Sequence, residues 1–198
     1  MQIVIWADAE KIDLLIAKNA SIEWKIVEEE ASFNIEEADI YLNLNDDAYS
    51  MDYSNITKPV LINSVAFTLK EINAGKNIVR INGWSSFLEN NTWEVSGKID
   101  AVSAEFFILM DKKIINCADE PGFISALIIA TIINEAYYAK NDQVSNEADI
   151  DTAMKLGTNY PYGPFEWASV IGLKNIYQLL LKLAEKDKRY LPAHGLFA

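Results

Sequence analysis

The sequence is poor in several of the residues that binding and catalytic sites use most often. Among its 198 residues there is one cysteine, Cys117, and one histidine, His194, and the 17 basic side chains are outnumbered by 29 acidic ones. A single cysteine excludes a disulfide within the chain, which fits a reducing compartment. The formal net charge of −12 argues against nucleic acid, anionic membranes and polyanionic ligands, because clustered basic groups bind all of these.

A targeting segment and long apolar runs are also missing from the sequence. The chain enters its first strand at Gln2, and neither the basic nor the apolar part of a signal peptide precedes it. The longest largely apolar stretch, residues 123–130, is shorter than the ~20 residues that cross a bilayer. These features predict a cytoplasmic protein with no membrane partner and no nucleic-acid partner.

Hydrophobic residues make up 51% of the chain, and they fall into short segments of strand or helix character. Seven strand-like segments are separated mostly by gaps of helix length: residues 2–6, 22–27, 38–44, 59–63, 77–81, 92–95 and 113–117. Helical patterns cover the segments 10–18, 101–110, 123–141, 147–156 and 166–185. The order predicts a mostly parallel α/β domain over residues 1–118 and an all-helical domain over residues 119–198.

The first strand runs into a turn and a helix, as a nucleotide-binding β-turn-α unit does. The stretch reads IVIWADAEK, so the turn contains no glycine and Asp8 stands where a phosphate would lie. Aspartate is also a good residue for capping the start of a helix. The acidic run Glu28-Glu29-Glu30 is interpreted as a solvated turn, and we predict no metal site.

The second half of the chain carries five motifs in a fixed order: PGF at 121–123, INEA at 133–136, DID at 149–151, AM at 153–154 and GPF at 163–165. In this order and spacing they resemble the C-terminal domain of the 3-hydroxyacyl-CoA dehydrogenase family, over about residues 119–194. Residues 60–72 and 77–97 resemble earlier segments of the same family, with fewer matching positions. The resemblance implies a Rossmann-like domain, here shortened, followed by a helical domain of the 6-phosphogluconate-dehydrogenase C-terminal type that forms a homodimer. It also implies NAD-linked oxidation of a 3-hydroxyacyl-CoA in fatty acid metabolism.

The family's catalytic groups are a His–Glu pair with an Asn and a Ser near the substrate, and the resemblance maps them onto changed positions here. Glu94 matches the catalytic Glu, and Ser64 matches the Ser. The His position falls on Asn82 when counted back from Glu94, or on Ser85 when Gly83-Trp84 is aligned with the family. Neither an amide nor a hydroxyl accepts a proton near neutral pH unaided, so neither serves as general base.

Other family positions have lost their polar group as well. Ala126 stands in place of the substrate-binding Asn, and Ser169 stands in place of an Asp. His194 lies in the C-terminal tail, where we interpret it as an exposed or capping residue.

The family's glycine-rich GxGxxG loop is replaced here by residues 6–11. Trp6 adds bulk at the tight turn, and Asp8 adds a negative charge at the diphosphate position. Two unit charges ~4 Å apart at an effective dielectric constant near 20 repel by ~4 kcal/mol, which lowers affinity about a thousandfold. The stretch before residues 37–40 is also shorter than in the family. We therefore predict no bound cofactor, with NAD implied only by the resemblance.

The helical segment 123–141 is apolar on nearly every side, as a fully buried helix is. A helical half of roughly 80 residues is small for such a helix. An internal core helix and a dimer helix that a partner chain covers therefore both remain open.

Three functions follow from these features. The first, which we predict, is a non-catalytic, dehydrogenase-derived homodimer that binds a small-molecule or protein ligand through the remnant cleft. The second is an active NAD-dependent oxidoreductase of the family with an altered site, lined by Ser64, Ser85, Ser86 and Glu94. The third is a structural subunit that stabilises another dehydrogenase or another β-oxidation component by sharing the helical interface.

Overall fold

The computed structural model describes residues 1–16 and 21–196 of the chain. The chain forms two compact units, Met1–Phe123 and Ile124–Ala198. The predicted boundary lay five residues earlier, after Ala118. Residues 119–123 belong with the first unit because the Asp119 carboxylate accepts hydrogen bonds from the backbone amides of Leu69 (2.9 Å) and Lys70 (3.2 Å).

The first unit is built on one seven-stranded sheet with the strand order β2-β1-β3-β4-β5-β6-β7. Its strands are β1 Gln2–Trp6, β2 Glu23–Ile26, β3 Ile40–Asn43, β4 Val60–Asn63, β5 Ile78–Ile81, β6 Thr92–Gly97 and β7 Lys113–Asn116. Strands β1 to β5 are parallel, β6 runs antiparallel to β5, and β7 is parallel to β6. The prediction of a mostly parallel sheet with these seven strands is confirmed.

Four helices accompany the sheet: α1 Ala9–Ile16, α2 Glu30–Ile35, α3 Ser85–Leu88 and α4 Ala101–Leu109. Helices α1 and α4 match the sequence patterns, although residues 17 and 18 of the predicted first helix lie outside the described residues. Helices α2 and α3 were not predicted. The α2 segment carries one large buried side chain, Phe33, which leaves almost no helical periodicity to detect.

Apolar side chains cover both faces of the sheet. Leu61 of β4 belongs to one core cluster, together with Leu15 of α1 and Phe106 of α4. Val60 and Ile62 of the same strand belong to the opposite cluster. This alternation is the two-residue period of a strand that is buried on both faces, and it explains the continuous apolar run in the sequence.

The second unit contains the helices α5 Ser125–Asn141, α6 Glu147–Thr158, α7 Pro164–Ile171 and α8 Leu173–Ala184. The predicted segment 166–185 is two helices rather than one, because Gly172 has a φ of 89° between them. Within one chain α5 is not buried on every side, because Ile128 is 46% exposed and Ile124, just before the helix, is 51% exposed. No helix within the described residues is long and apolar enough to span a bilayer.

Candidate functional site

The carboxyl ends of four parallel strands, β1, β3, β4 and β5, meet at one edge of the sheet in the first unit. In open α/β sheets this edge is where ligands bind. The residues that follow these strands are mostly polar, and we call them the carboxyl-edge cluster: Asp8, Lys11, Asn45, Asp46, Asn63 and Asn82, with Glu94 of β6 beside Asn82.

Lys11 holds the first part of the carboxyl-edge cluster together. Its side chain is almost fully buried, and its ammonium group donates a hydrogen bond to the carbonyl oxygen of Leu44 (2.9 Å). The same Nζ lies 3.1 Å from Asp8 Oδ2 and 3.4 Å from Asp46 Oδ1. The buried side chain of Lys11 therefore lies at the turn that would hold a diphosphate in a dinucleotide-binding unit. The sequence prediction missed this role of Lys11, since two of its three partners, Leu44 and Asp46, lie more than thirty residues away.

Asp8 caps helix α1, as its residue type predicts. Its Oδ1 accepts a hydrogen bond from the backbone amide of Lys11 (2.9 Å). Partial burial works to raise the pKa of the Asp8 carboxyl, but the amide and ammonium groups of Lys11 outweigh it and hold that pKa below its ordinary value. The carboxylate is thus charged at neutral pH, and it already binds both the backbone amide and the ammonium group of Lys11.

The charge balance at this turn remains unfavourable for an anion. Asp8 and Asp46 contribute two negative charges and Lys11 contributes one positive charge, so the three side chains carry a net charge of about −1. Lys11 reduces the repulsion expected from Asp8 alone but does not reverse it. Its ammonium group is also directed at protein oxygen atoms, so a phosphate would have to displace those contacts.

Replacing Lys11 with methionine is expected to lower the free energy of unfolding by about 1–3 kcal/mol, because the Leu44 carbonyl and two carboxylates lose a buried donor. Urea denaturation measures the change. Lys25→Met is the matched control, because Lys25 makes a similar pair with Glu36 on the surface and its loss should cost under about 1 kcal/mol. Equal effects of the two substitutions would contradict a buried linking role for Lys11.

The effect of Lys11→Met on stability should depend on pH in a direction that follows from Asp8. A carboxyl whose folded-state pKa is lowered stabilises the fold above its unfolded pKa of about 3.9, and that contribution is lost as the pH falls through the folded value. Asp8 is such a group. We expect Lys11→Met to flatten this acid-side loss of stability.

Asn63 connects the β3, β4 and β5 ends of the cluster. Its Nδ2 lies 3.4 Å from the carbonyl oxygen of Asn45 and 3.5 Å from Asp46 Oδ1. Its Oδ1 accepts a hydrogen bond from the amide of Gly83 (3.2 Å). A Cβ at position 83 would lie only 2.8 Å from Asn63 Cβ, so the glycine permits this close approach.

Asn82 and Glu94 form the last part of the cluster. The Nδ2 of Asn82 donates to Glu94 Oε2 (3.0 Å), and the Asn82 amide donates to the Glu94 carbonyl oxygen across the β5–β6 pairing (3.0 Å). Both side chains are buried. The Oδ1 of Asn82 has no hydrogen-bond partner among residues 1–16 and 21–196. An amide in contact with a carboxylate can orient a polar group, but it cannot remove a proton.

Ser64, the third predicted site residue, is not hydrogen-bonded to this pair by its hydroxyl group. Its Oγ donates to the carbonyl oxygen of Phe67 (2.8 Å), and its own carbonyl oxygen accepts from Arg80 Nε (2.8 Å). Ser85, the alternative His position, is the first residue of the short helix α3. The structure thus brings Asn82 and Glu94 together, and it uses the Ser64 hydroxyl to brace the following loop.

The remaining predicted positions lie in the second unit. Ala126 is completely buried in α5, and Ser169 donates its hydroxyl to the carbonyl oxygen of Phe165 within α7 (3.2 Å). His194 is exposed, as predicted, and its carbonyl oxygen accepts a hydrogen bond from Asn141 Nδ2. Within the described part of the chain, no group of three or more His, Cys, Asp or Glu side chains is arranged to hold a metal ion.

Sequence comparison places the helical unit in a known family. The model of the 3-hydroxyacyl-CoA dehydrogenase C-terminal domain matches residues 122–195. Residues 122–195 therefore carry a C-terminal domain of the 3-hydroxyacyl-CoA dehydrogenase type. A 3-hydroxyadipyl-CoA dehydrogenase of Escherichia coli is 45% identical over 83 residues, which is 41% of this chain and 18% of the relative. A 3-hydroxybutyryl-CoA dehydrogenase of Bradyrhizobium diazoefficiens is 39% identical over 92 residues, 46% of this chain and 31% of that protein. The matches therefore span less than a third of these relatives.

Solved structures extend the similarity to the whole fold. FadB2 of M. tuberculosis aligns with 98% of this chain and 91% of its own chain at a TM-score of 0.75 and 14% identity. A (S)-3-hydroxybutyryl-CoA dehydrogenase of Ralstonia eutropha covers the same shares at a TM-score of 0.67 and 16% identity. At such identities the likeness concerns the fold alone. It confirms the predicted Rossmann-like unit followed by a helical unit.

Two family motifs of this 3-hydroxyacyl-CoA dehydrogenase C-terminal domain meet at the start of α7. Asp151, from the DID motif, accepts hydrogen bonds from the amides of Phe165 (2.8 Å) and Glu166 (3.2 Å). Asp149 lies in the first turn of its own helix, whereas Asp151 binds the start of the next helix. Gly163, from the GPF motif, lies directly against the Asp151 carboxylate. Both motifs thus have a structural role that does not require catalysis.

The INEA motif binds the C-terminal tail of the chain to helix α5. Asn134 is buried in α5, its Oδ1 accepts from the Ala193 amide (2.7 Å), and its Nδ2 donates to the Leu191 carbonyl oxygen (2.9 Å). Tyr138 donates its hydroxyl to the same carbonyl oxygen (3.1 Å). The single side chain of Asn134 therefore satisfies two backbone groups of the tail.

Asn134→Ala is expected to release the tail and to lower the free energy of unfolding by about 2–3 kcal/mol, because the buried amide of Ala193 loses its acceptor. Hydrogen exchange at the Ala193 amide should accelerate strongly, and denaturation measures the stability. Glu135→Ala, at the neighbouring exposed position of α5, should change neither quantity appreciably. An unchanged exchange rate at Ala193 in Asn134→Ala would show that the tail is held by other contacts.

Proposed function

We propose that this chain is a 3-hydroxyacyl-CoA dehydrogenase-like protein that no longer binds NAD or transfers hydride, and that it acts as a dimeric module for binding a small molecule or a protein. The observation that carries the proposal is the internal bonding of the carboxyl-edge cluster. Lys11 is bonded to protein oxygen atoms at the turn after β1, and the side chain bonded to Glu94 is the amide of Asn82 rather than an imidazole.

The turn after β1 is unsuited to NAD in its geometry as well as in its charge. A dinucleotide is held where backbone amides at a helix start can face the diphosphate. Here the side chain of Asp8 takes one of those amides, and the buried side chain of Lys11 lies at the same turn. Binding NAD would require breaking these contacts and adding two phosphate charges next to a net negative group.

The Asn82–Glu94 pair is unsuited to hydride transfer. By resemblance, the family's base is a histidine that the glutamate orients. The hydrogen bond from Asn82 to Glu94 supports the alignment that places the lost histidine at position 82 rather than 85. The amide keeps the contact to Glu94 but has no proton-accepting nitrogen, so it cannot replace the imidazole base of the family.

The test is turnover of acetoacetyl-CoA by the purified protein, followed by NADH absorbance. We expect no oxidation of NADH above the rate without protein. The alternative function, an active NAD-dependent oxidoreductase with an altered site, predicts protein-dependent oxidation, and it would draw on Glu94 and Ser64 as remaining polar groups. Saturable turnover would overturn the non-catalytic proposal and establish the alternative.

The proposed homodimer forms through the helical unit. Ile124 and Ile128 lie one turn apart and are about half exposed although both are large and apolar. A second copy covering this face would complete the burial that the sequence of α5 indicates.

Light scattering on a sizing column should give twice the chain mass, and Ile128→Glu should give the monomer. Ile35→Glu, at an exposed position of the first unit, is the control and should remain dimeric. A monomeric wild-type protein, or a complex purified only with another dehydrogenase, would contradict the homodimer.

A further inference from the structure

Two consecutive crossovers of the parallel sheet lack the helix that such connections usually carry. Between β3 and β4, residues 44–59 contain only the three-residue 3-10 helix Ala48–Ser50. Between β4 and β5, residues 64–77 contain turns and no helix. In parallel sheets, crossover helices cover the faces of the sheet. Here irregular chain takes their place, and it leaves space between the two crossovers.

That space is a groove of about 340 Å³ lined by both polar and apolar side chains. Tyr53, Ile56 and Ile78 form the floor and are buried, and half-buried Met51 and Ile72 form part of the walls. Its volume lies within the range of small-molecule sites, which runs from about 300 to 1,000 Å³. We call it the crossover groove. It shares no lining residue with the carboxyl-edge cluster.

Contacts between the two crossovers fix the shape of the groove. The ring of Tyr49 packs on the ring of Phe67 with centroids 4.2 Å apart. On the opposite side, Asn77 Nδ2 donates to the carbonyl oxygens of Ile56 and Lys58, both at 2.8 Å. The groove is therefore preformed, which spares a ligand the cost of ordering the loops.

Tyr53 presents a fixed aromatic surface at the floor. Its hydroxyl donates to the Ala48 carbonyl oxygen (2.6 Å) and accepts from Asn43 Nδ2 (3.0 Å), so the ring cannot rotate away. An aromatic face of this kind attracts cations as well as apolar groups.

Among the residues that the structure describes, Asp52 is the charged one that lines the groove. Its carboxylate accepts hydrogen bonds from the amide (2.9 Å) and hydroxyl (3.1 Å) of Ser54, and these bonds lower the pKa of Asp52, so it is ionised at neutral pH. A carboxylate offers about four acceptor positions, which leaves room for a ligand donor. The chain's net charge of −12 also favours a cationic ligand over an anionic one.

We propose that the crossover groove binds a small molecule that combines an apolar or aromatic body with a primary ammonium group. The body packs on Tyr53, Ile56 and Ile78, and the ammonium group pairs with Asp52. The site goes beyond the proposed function of the carboxyl-edge cluster, and it stands or falls independently of whether the chain binds NAD.

The experiment uses the full chain labelled with ¹⁵N and three probes of one shape: 2-phenylethylamine, 2-phenylethanol and phenylacetate. We expect the amine to produce saturable shifts of the Ser54, Asn73 and Gly75 amides, which line the groove. The alcohol and the acid should bind at least about fivefold more weakly, because they cannot pair with Asp52.

Two variants separate charge recognition from nonspecific packing. Asp52→Asn keeps the shape of the side chain and should weaken amine binding about five- to tenfold. Asp111→Asn removes an exposed carboxylate that does not line the groove and should leave binding unchanged. The proposal is overturned if the amine gives no saturable shifts at these amides, if the three probes bind equally, or if Asp52→Asn binds the amine as wild type does.

Discussion

Gly163→Ala is expected to unfold the helical unit or to destabilise it by about 3 kcal/mol or more. A Cβ at this position would lie closer to the Asp151 carboxylate than any real Cβ contact. Asp151 cannot move aside cheaply, because it is buried and its two oxygens hold the amides of Phe165 and Glu166. Displacing it would leave a buried charge and two helix amides without partners, which is the most costly kind of polar loss.

Gly157→Ala is the matched control, and we expect it to change the stability of the helical unit in the opposite direction. Gly157 lies within α6, and a Cβ there would meet open space. Alanine should therefore stabilise the unit by about 0.5–1 kcal/mol, since it removes the entropy cost of glycine in a helix. Chemical denaturation followed by circular dichroism measures both variants. If Gly163→Ala were as stable as wild type, the close packing of the DID and GPF motifs would not explain why glycine occupies position 163 and aspartate occupies position 151.

Arg80→Met is expected to destabilise the first unit by about 3–5 kcal/mol. The Arg80 side chain is completely buried in β5. Its Nη1 lies 2.6 Å from Asp119 Oδ1, and its guanidinium group lies 4.7 Å from the centre of the Phe123 ring. Its other nitrogens donate to the carbonyl oxygens of residues 64, 65 and 120. Methionine fills part of the volume but supplies none of these donors, so three carbonyls and a carboxylate lose their partner.

The pH dependence of Arg80→Met follows from Asp119. Burial works to raise the pKa of this carboxyl, but the Leu69 amide and Arg80 outweigh it and hold the pKa below its ordinary value. Asp119 thus stabilises the fold above its unfolded pKa of about 3.9, and this is lost as the pH falls through the folded value. The cost of Arg80→Met should therefore shrink in acid. Arg189→Met, at an exposed arginine paired with Asp187, should cost under about 1 kcal/mol at every pH.

The elements with a clear local signal could be predicted from the sequence. The seven strands are short apolar runs between polar breaks, and the helical motifs of the second unit lie in a fixed order that the sequence shows directly. The Asp8 cap also followed from the residue type alone, because capping involves a neighbour three residues away. Each of these features depends on contacts within one segment of the chain.

The features that the sequence did not indicate depend on contacts between distant segments. Lys11 is bonded to Leu44 and Asp46 only because β1 and β3 are neighbours in the sheet. The exposed side of α5 could not be told from its buried side, because both are apolar. The short helix α2 buries little more than Phe33, so its pattern is too weak to detect. The absence of α-helices from the crossovers at residues 44–59 and 64–77 also could not be predicted, because the strand order was not known.

The most direct test of the account is calorimetric titration of the purified chain with NADH. The account predicts no binding heat up to millimolar coenzyme, because Lys11 and Asp8 are bonded to each other and to the protein at the diphosphate turn. Lys11→Met should not bind either, since it leaves two carboxylates at that turn. A dissociation constant in the micromolar range for the wild-type chain would contradict the central claim.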